Sequence, residues 1–316
     1  MAKTLVNHAA QAGAVRPSKG ALGIAFFAIY ILWGTTFLAI RVAVEELPPL
    51  FAAGSRFLTA GVLLYGFMRL RGTPAPEKTE WRSLGLIALL MFVIDYGALF
   101  WAEKYVPSGM AAVLMATMPL TTVVLEMFVF RQQPVRGRLL LAILLGFIGT
   151  AVLLCPTQHQ QVNVKACLAI LAGGTSFAAG SVLNRMLPLP RSKALNAGAA
   201  MLLGGAVLLV LSAATGELHP WPHISLRAAG AMAYLIVCGS LMGFTAYLWL
   251  LGHMPATRVS SYGYVNPVVA VVLGYFVAGE PVTLRMLAGA AIVLVSIYLV
   301  LVLGHGPATP ARRAEA

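Results

Sequence analysis

Ten runs of predominantly apolar residues, each about 20 long, follow one another along this chain with little between them. No other feature narrows the fold as much. They fall at roughly 21–40, 49–68, 83–102, 107–130, 137–155, 166–184, 194–215, 228–250, 255–278 and 284–304. A run of that length crosses the hydrocarbon core of a bilayer as a helix, which satisfies its own backbone polar groups where water cannot. Only 10 % of the 316 residues are charged and 59 % are apolar, whereas a soluble domain carries about 25 % charge. The chain therefore reads as an all-α membrane protein with ten transmembrane helices, embedded in lipid. A formal net charge of +12 would suggest nucleic acid in a soluble chain. Here the basic residues sit in short loops, so no nucleic-acid partner is expected.

The ninth run, Arg258 to Glu280, carries Pro267 near its middle. Proline has no N–H and its ring crowds the carbonyl of residue i−4, here Gly263, so a bend or break is expected there. The fourth run repeats the pattern. Pro119 lies 148 positions before Pro267, Trp101 lies 148 before Trp249, and the exit prolines Pro134 and Pro281 match after a one-residue gap. Gly34, Thr35, Thr36 and Phe37 lie over Gly174, Thr175, Ser176 and Phe177 at an offset of 140. Most of the chain is one five-span unit written twice, over residues 21–155 and 165–304, between tails of 1–20 and 305–316. Five is odd, so the second copy crosses in the opposite sense and the two form an inverted repeat. With both ends in the cytoplasm, sixteen Lys and Arg lie inside and five outside, the bias that sets orientation. The first run is as long as a full span and lacks an A-x-A cleavage pattern, so it reads as an uncleaved helix.

Interrupted helices at matching places in two inverted halves point to a binding cavity between them. By residue rise, Pro119 and Pro267 lie roughly 18 Å into their spans, near the bilayer middle. Tyr262 and Asn266 are four apart and share a face one turn before Pro267; the matching positions in the first half are Leu114 and Met118. One polar and one apolar wall suit a small amphipathic molecule. Tyr96, Met115 and Met118 are assigned to the same lining. Trp33 and Thr36 join them, because a mid-span indole N–H needs a partner. Packing, or a helix cap in the case of Asn266, is the competing reading. Arg56 and Asp95 lie at similar depth, roughly 12 and 10 Å from the outer ends of their spans. That suggests a salt bridge, either structural or proton-carrying. Glu126 reads as interfacial and paired with Arg131. Arg41, Glu103 and Lys104 gather at the outer mouth as a gate or a solvated rim.

Other chemistry is missing. The sequence has no G-x-x-x-x-G-K-[ST], H-E-x-x-H or G-x-S-x-G pattern, so neither an enzyme nor a cofactor is expected. His219 and His223 are separated by Pro220 and Pro222 and cannot share a helical face, so no metal is expected. Cys155, Cys167 and Cys238 read as small buried hydrophobes.

Trp33-Gly-Thr-Thr-Phe, Ala-Gly-Ser-Arg56-Phe, Val-Pro-Ser-Gly109-Met-Ala-Ala, Tyr264-Val-Asn-Pro267-Val-Val-Ala and Gly279-Glu-Pro resemble the drug/metabolite transporter (DMT) superfamily, EamA type. The resemblance covers about residues 20 to 304. It implies a permease of the bacterial inner (plasma) membrane that exports amino acids or other metabolites by alternating access through a central cavity. It carries over Trp33, Arg56, Pro119, Asn266, Pro267 and Glu280 as family-type positions. Relatives that move nucleotide sugars or triose phosphates hold a lysine or arginine in the cavity; no mid-span lysine is found here, which argues against a phosphorylated cargo. Protons are a candidate coupling ion, and the oligomeric state is open between monomer and homodimer. An uncoupled facilitator or a non-transporting scaffold is the alternative.

Overall fold

The structure is a computed structural model that describes residues 18–131, 134–155, 163–219, 224–253, 259 and 261–304. Nearly all of the two tails, and Pro255 and Arg258 at the start of the ninth expected span, lie outside the described residues. Among the described residues, ten apolar helices follow one another: α1 (Lys19–Glu46), α2 (Pro49–Leu70), α3 (Lys78–Ala102), α4 (Ser108–Val129), α5 (Gly137–Leu154), α6 (Val164–Leu183), α7 (Lys193–Ala214), α8 (Leu226–Tyr247), α9 (Tyr262–Ala278) and α10 (Leu284–Gly304). No strand occurs among the described residues.

Local chemistry explains where the helices start and stop. Ser18, Asn163, Ser192 and Ser225 each accept the N–H three residues on, at 3.0–3.2 Å, and so start α1, α6, α7 and α8. Pro49 opens α2, where its missing N–H costs nothing. Glu77 and Glu80 form a reciprocal capping box at α3. Gly279 ends α9 in the left-handed conformation, φ 63°.

The packing follows the duplication. α2 lies along α7, α5 along α10, and α4 against α9; α1 meets α8 and α9, while α6 meets α3 and α4. Exchanging each helix for the one five further on leaves this set of pairings unchanged. The helices therefore form two five-helix repeats around a pseudo-twofold axis, inverted because five spans reverse the sense of entry. Small residues bring the halves together: a Cβ on Gly61 would lie 2.3 Å from Leu202 N, and one on Gly205 would lie 2.2 Å from Leu58 N. Across α5 and α10, Ser296 Oγ donates to Ala142 O at 2.6 Å.

Four spans carry wider, π-type turns: Ala28–Leu32 in α1, Leu89–Ile94 in α3, Leu125–Val129 in α4 and Leu235–Met242 in α8. The two prolines behave differently. α4 is interrupted at Ala116 and Thr117, just before Pro119, and restarts at Met118. Pro267, against expectation, sits inside a continuous α9, whose turn comes earlier, at Ser261. Only the carbonyl of Gly263 loses a partner to Pro267, and a helix packed on both sides can hold that.

Candidate functional site

A cavity of about 760 Å³ lies between the two halves. Its inner depth is apolar and aromatic, with Met115 and Met118 from α4, Phe92 from α3, and Phe244, Tyr247 and Tyr262 from α8 and α9. Both prolines reach it, Pro119 from one half and Pro267 from the other. Its other end is polar, with Glu126, Ser181, Asn184, Arg185, Lys193 and Asn196, and lies beside the α6–α7 connection. That connection belongs to the Lys- and Arg-rich side.

Asn266 is on the cavity wall and only 7 % exposed. The amide orientation that satisfies its neighbours points Nδ2 at the carbonyls of Tyr30 (3.0 Å), Ile29 (3.2 Å) and Tyr262 (3.2 Å). Ile29 and Tyr30 belong to the π-type turn of α1, whose altered hydrogen bonding turns carbonyls toward α9. Asn266 thus ties α9 to α1 from within the helix, and Ser261, not Asn266, occupies the cap position. Tyr30 Oη and Ser261 Oγ add a second tie at 2.6 Å.

Trp33, Thr36 and Tyr96 stand behind the lining. Trp33 Nε1 donates to Gly239 O at 3.0 Å, so its N–H has the partner its depth requires. Its ring meets Phe244, Tyr247 and Tyr262 with centroids 5.1–5.4 Å apart. It supports the aromatic wall from the rear. Thr36 Oγ1 donates to Trp33 O at 2.6 Å. Tyr96 packs on Phe57 and Phe92.

Arg56 and Asp95 are both buried, but no ion pair joins them. Arg56 Nε donates to Ser240 Oγ at 3.0 Å, and its guanidinium lies 4.7 Å from the Phe57 ring centroid and 5.3 Å from that of Tyr96. Asp95 faces α6, where a Cβ on Gly173 would come within 3.2 Å of its Oδ1, and neither carboxylate oxygen has a hydrogen-bond partner among the described residues. Equal depth did not mean equal facing. The π-type turn Leu89–Ile94 inserts a residue just before Asp95 and rotates the rest of the helix by about 100°. Glu126 also has a different partner from the one expected: it pairs with Arg185 of the second half, not with Arg131. Cys155 is exposed, at the end of α5, while Cys167 is buried.

The opposite end of the cavity is sealed. The Glu280 carboxylate accepts Ser108 N (2.8 Å), Ser108 Oγ (2.9 Å) and Gly109 N (3.3 Å), so it sits on the free N–H groups that begin α4. Glu217 takes Leu50 N and Phe51 N at the start of α2, and Glu46 takes Ser225 at the start of α8. Arg41 donates to the Glu103 carbonyl, which brings these two mouth residues together; Lys104 is exposed. The Glu103 side chain is fully buried. Burial first, and then the Glu280 carboxylate, pushes its acid well above the usual carboxylate range, against the pull of Arg41 and Arg56.

The polar end, with Arg185, Lys193 and Asn196, was not foreseen, because in sequence it reads as an ordinary basic loop. Phe37 and Phe177 were within reach. They are matched at the 140-residue offset, and both line the cavity.

A duplicated, inverted ten-helix bundle with a cavity at its pseudo-axis is the architecture of a carrier, and the comparisons agree. The EamA-like transporter family matches residues 20–155 and again 164–302. The chain belongs to this family. Among its relatives, the "Uncharacterized inner membrane transporter YedA" of Escherichia coli (strain K12) is 38 % identical, covering 88 % of this chain and 89 % of that one. A "Probable amino-acid metabolite efflux pump" of Salmonella typhimurium is 26 % identical, covering 86 % and 91 %. A crystal structure of a protein 20 % identical shares the fold with a TM-score of 0.62, over 90 % of this chain and 98 % of the other. The chain is a membrane transporter.

Proposed function

We propose that this EamA-type chain is a secondary transporter of an inner membrane that exports a small amphipathic metabolite by alternating access, here in the state open to the cytoplasm. The observation that carries the reading is the asymmetry of the cavity, which reaches the end beside Arg185 and Lys193 and is closed beneath Glu280 at the other. The excess of Lys and Arg on the open side supports a cytoplasmic assignment for that side, with both termini there as well. Export is supported by the efflux pump among the relatives. The polar groups at Asn266 and Tyr262, against Met115 and Met118 opposite, support an amphipathic cargo. The cargo exchanges sides as one repeat rocks against the other.

The test uses Thr122→Cys, on the cavity wall, in a chain whose three native cysteines are replaced. A membrane-impermeant maleimide should label it from the cytoplasmic face at least about tenfold faster than from the outside, with external labelling rising when a transported metabolite pool is supplied. Equal labelling from both faces, unmoved by metabolites, would leave no alternating carrier.

A further inference from the structure

Glu103 follows directly on α3, in the short turn that leads to Ser108, whose N–H the Glu280 carboxylate caps. Its neighbours Trp101, Lys104 and Tyr105 are exposed, yet its own side chain is fully buried and neither carboxyl oxygen has a donor among the described residues. The charges that act on it come from three helices: Glu280 at the end of α9, Arg41 on α1 and Arg56 on α2. Neither cation forms an ion pair with it among the described residues. Arg41 turns to the Glu103 backbone carbonyl and to Glu45 at 3.8 Å, while Arg56 turns to Ser240 Oγ at 3.0 Å and to the Phe57 and Tyr96 rings. The Ser108 hydroxyl is taken by Glu280, and Lys165 on α6, which also packs against α3, is exposed. A dry carboxylate without a donor, near a second carboxylate, is far costlier than the neutral acid. Filling space does not explain it either. The duplicate position, 148 further on as Trp249 is from Trp101, holds Leu251, so the repeat itself does not ask for an acid at this place.

We infer that Glu103 is a proton-operated lock on the outer gate: sealed, the chain holds its carboxyl as the neutral acid, and opening wets the carboxyl and lets its proton pass to the external medium. The two events are one, because the seal is Glu280 on Ser108 and Gly109, and parting the end of α9 from the start of α4 uncovers the turn that carries Glu103. The proton leaves to the outside and returns from the outside when the gate closes. None crosses the membrane, so Glu103 is a sensor and not a coupling site. The sealed state binds one proton more than the open state. Raising the external pH therefore draws the chain toward the open state by up to about tenfold per pH unit, from about 4.5, where the wet carboxyl titrates, up to the raised value of the sealed state. Acid outside keeps the carrier facing the cytoplasm, and export slows. The second copy, with Leu251 at the matching place, has no such carboxyl for the inner gate.

The lock presupposes the carrier reading and is tested apart from it. In right-side-out vesicles with the interior held at neutral pH, the full chain, its native cysteines replaced, carries Met115→Cys on the cavity wall. An impermeant maleimide is added outside while the external pH is raised from about 5.5 to about 8.5, a span chosen to lie above the ordinary carboxylate range. Each rate is divided by that of Lys165→Cys, an exposed residue at the start of α6 on the outer side, which removes the pH dependence of the thiol itself. The quotient should rise at least about tenfold across the span and stay flat in Glu103→Gln. Glu103→Leu, which installs the residue of the duplicate position, should be flat as well and has no amide to satisfy, so it serves if the glutamine variant does not fold. A flat or falling quotient in the parent chain, or a rise that survives in both variants, would overturn the lock. Glu280→Gln separates the two readings. Labelling raised in that variant, with no response to pH in the parent, leaves the carrier and removes the lock; no external labelling in any variant, together with a Thr122→Cys that never changes sides, removes both.

Discussion

Glu103 closes α3 with a carboxylate that touches no water and has no hydrogen-bond partner among the described residues. Its acid lies well above the ordinary 4.5, for burial and for the neighbouring Glu280 carboxylate. The folded chain therefore binds this proton more tightly than the unfolded chain. The stability it adds is complete below about pH 4.5 and is lost as pH rises through the raised value. Glu103→Gln keeps the neutral shape without the titration. The substituted chain should be the more stable of the two at neutral and alkaline pH, and the gap should close toward acid. A series of thermal unfolding curves across pH checks this, and a gap that widens toward acid would contradict it. Trp33 gives a second test at this scale. Trp33→Phe keeps most of the aromatic contact but leaves Gly239 O without its donor, which should cost about 1 kcal/mol in equilibrium unfolding.

Among the elements, the start of α4 and the end of α9 form the contact most exposed to a change of state. One carboxylate, Glu280, receives three bonds from Ser108 and Gly109, and Gly274 leaves it room: a Cβ there would fall 2.4 Å from Glu280 Oε2. Bonds to a charged acceptor are worth roughly 1.5–3 kcal/mol each, so Glu280→Gln should raise external labelling of a Met115→Cys reporter by about tenfold or more. Gly274→Ala should reproduce this by pushing the carboxylate off its donors with its charge intact, and stable sealing in both variants would deny Glu280 the role of a latch. How much of this could be read from the sequence depended on the kind of signal. The ten spans and the duplication were legible because apolar runs and paired prolines survive as patterns along the chain. The break near Pro119 could be read as well. Pro267 could not, since whether a proline breaks a helix depends on what packs around it. The orientation of Asp95 was hidden for a related reason: the π-type turn before it has no residue signature. Glu126 and Arg185 lie 59 residues apart, and only the folded chain brings them together.

The molecule as a whole depends on how closely its halves approach. α2 and α7 form the most extensive of its helix pairs, and that pair maps onto itself when the repeats are exchanged. Lipid offers no hydrophobic drive to hold two such helices together, so the contact relies on small residues that let backbones meet. Gly54 and Gly61 on α2 have their equals in Gly198 and Gly205 on α7, each seven residues apart. At Gly61 and Gly205 the nearest atoms to an added Cβ are backbone nitrogens at 2.3 and 2.2 Å, which no rotamer change can relieve. Gly66, one to two turns further along α2, has nothing within 4 Å. Gly61→Ala and Gly205→Ala should therefore each destabilise the chain by about 1–3 kcal/mol, the usual range for overpacking. Gly66→Ala should be neutral or slightly stabilising, since alanine is the better helix former. Equilibrium unfolding in mixed micelles separates these outcomes. Because the pseudo-axis passes through this contact, spreading it shifts both halves at once, so the two tight variants should also slow the exchange of Thr122→Cys between faces. Loss of stability with exchange unchanged would place the moving surface elsewhere, between α1 and α9 and between α6 and α4.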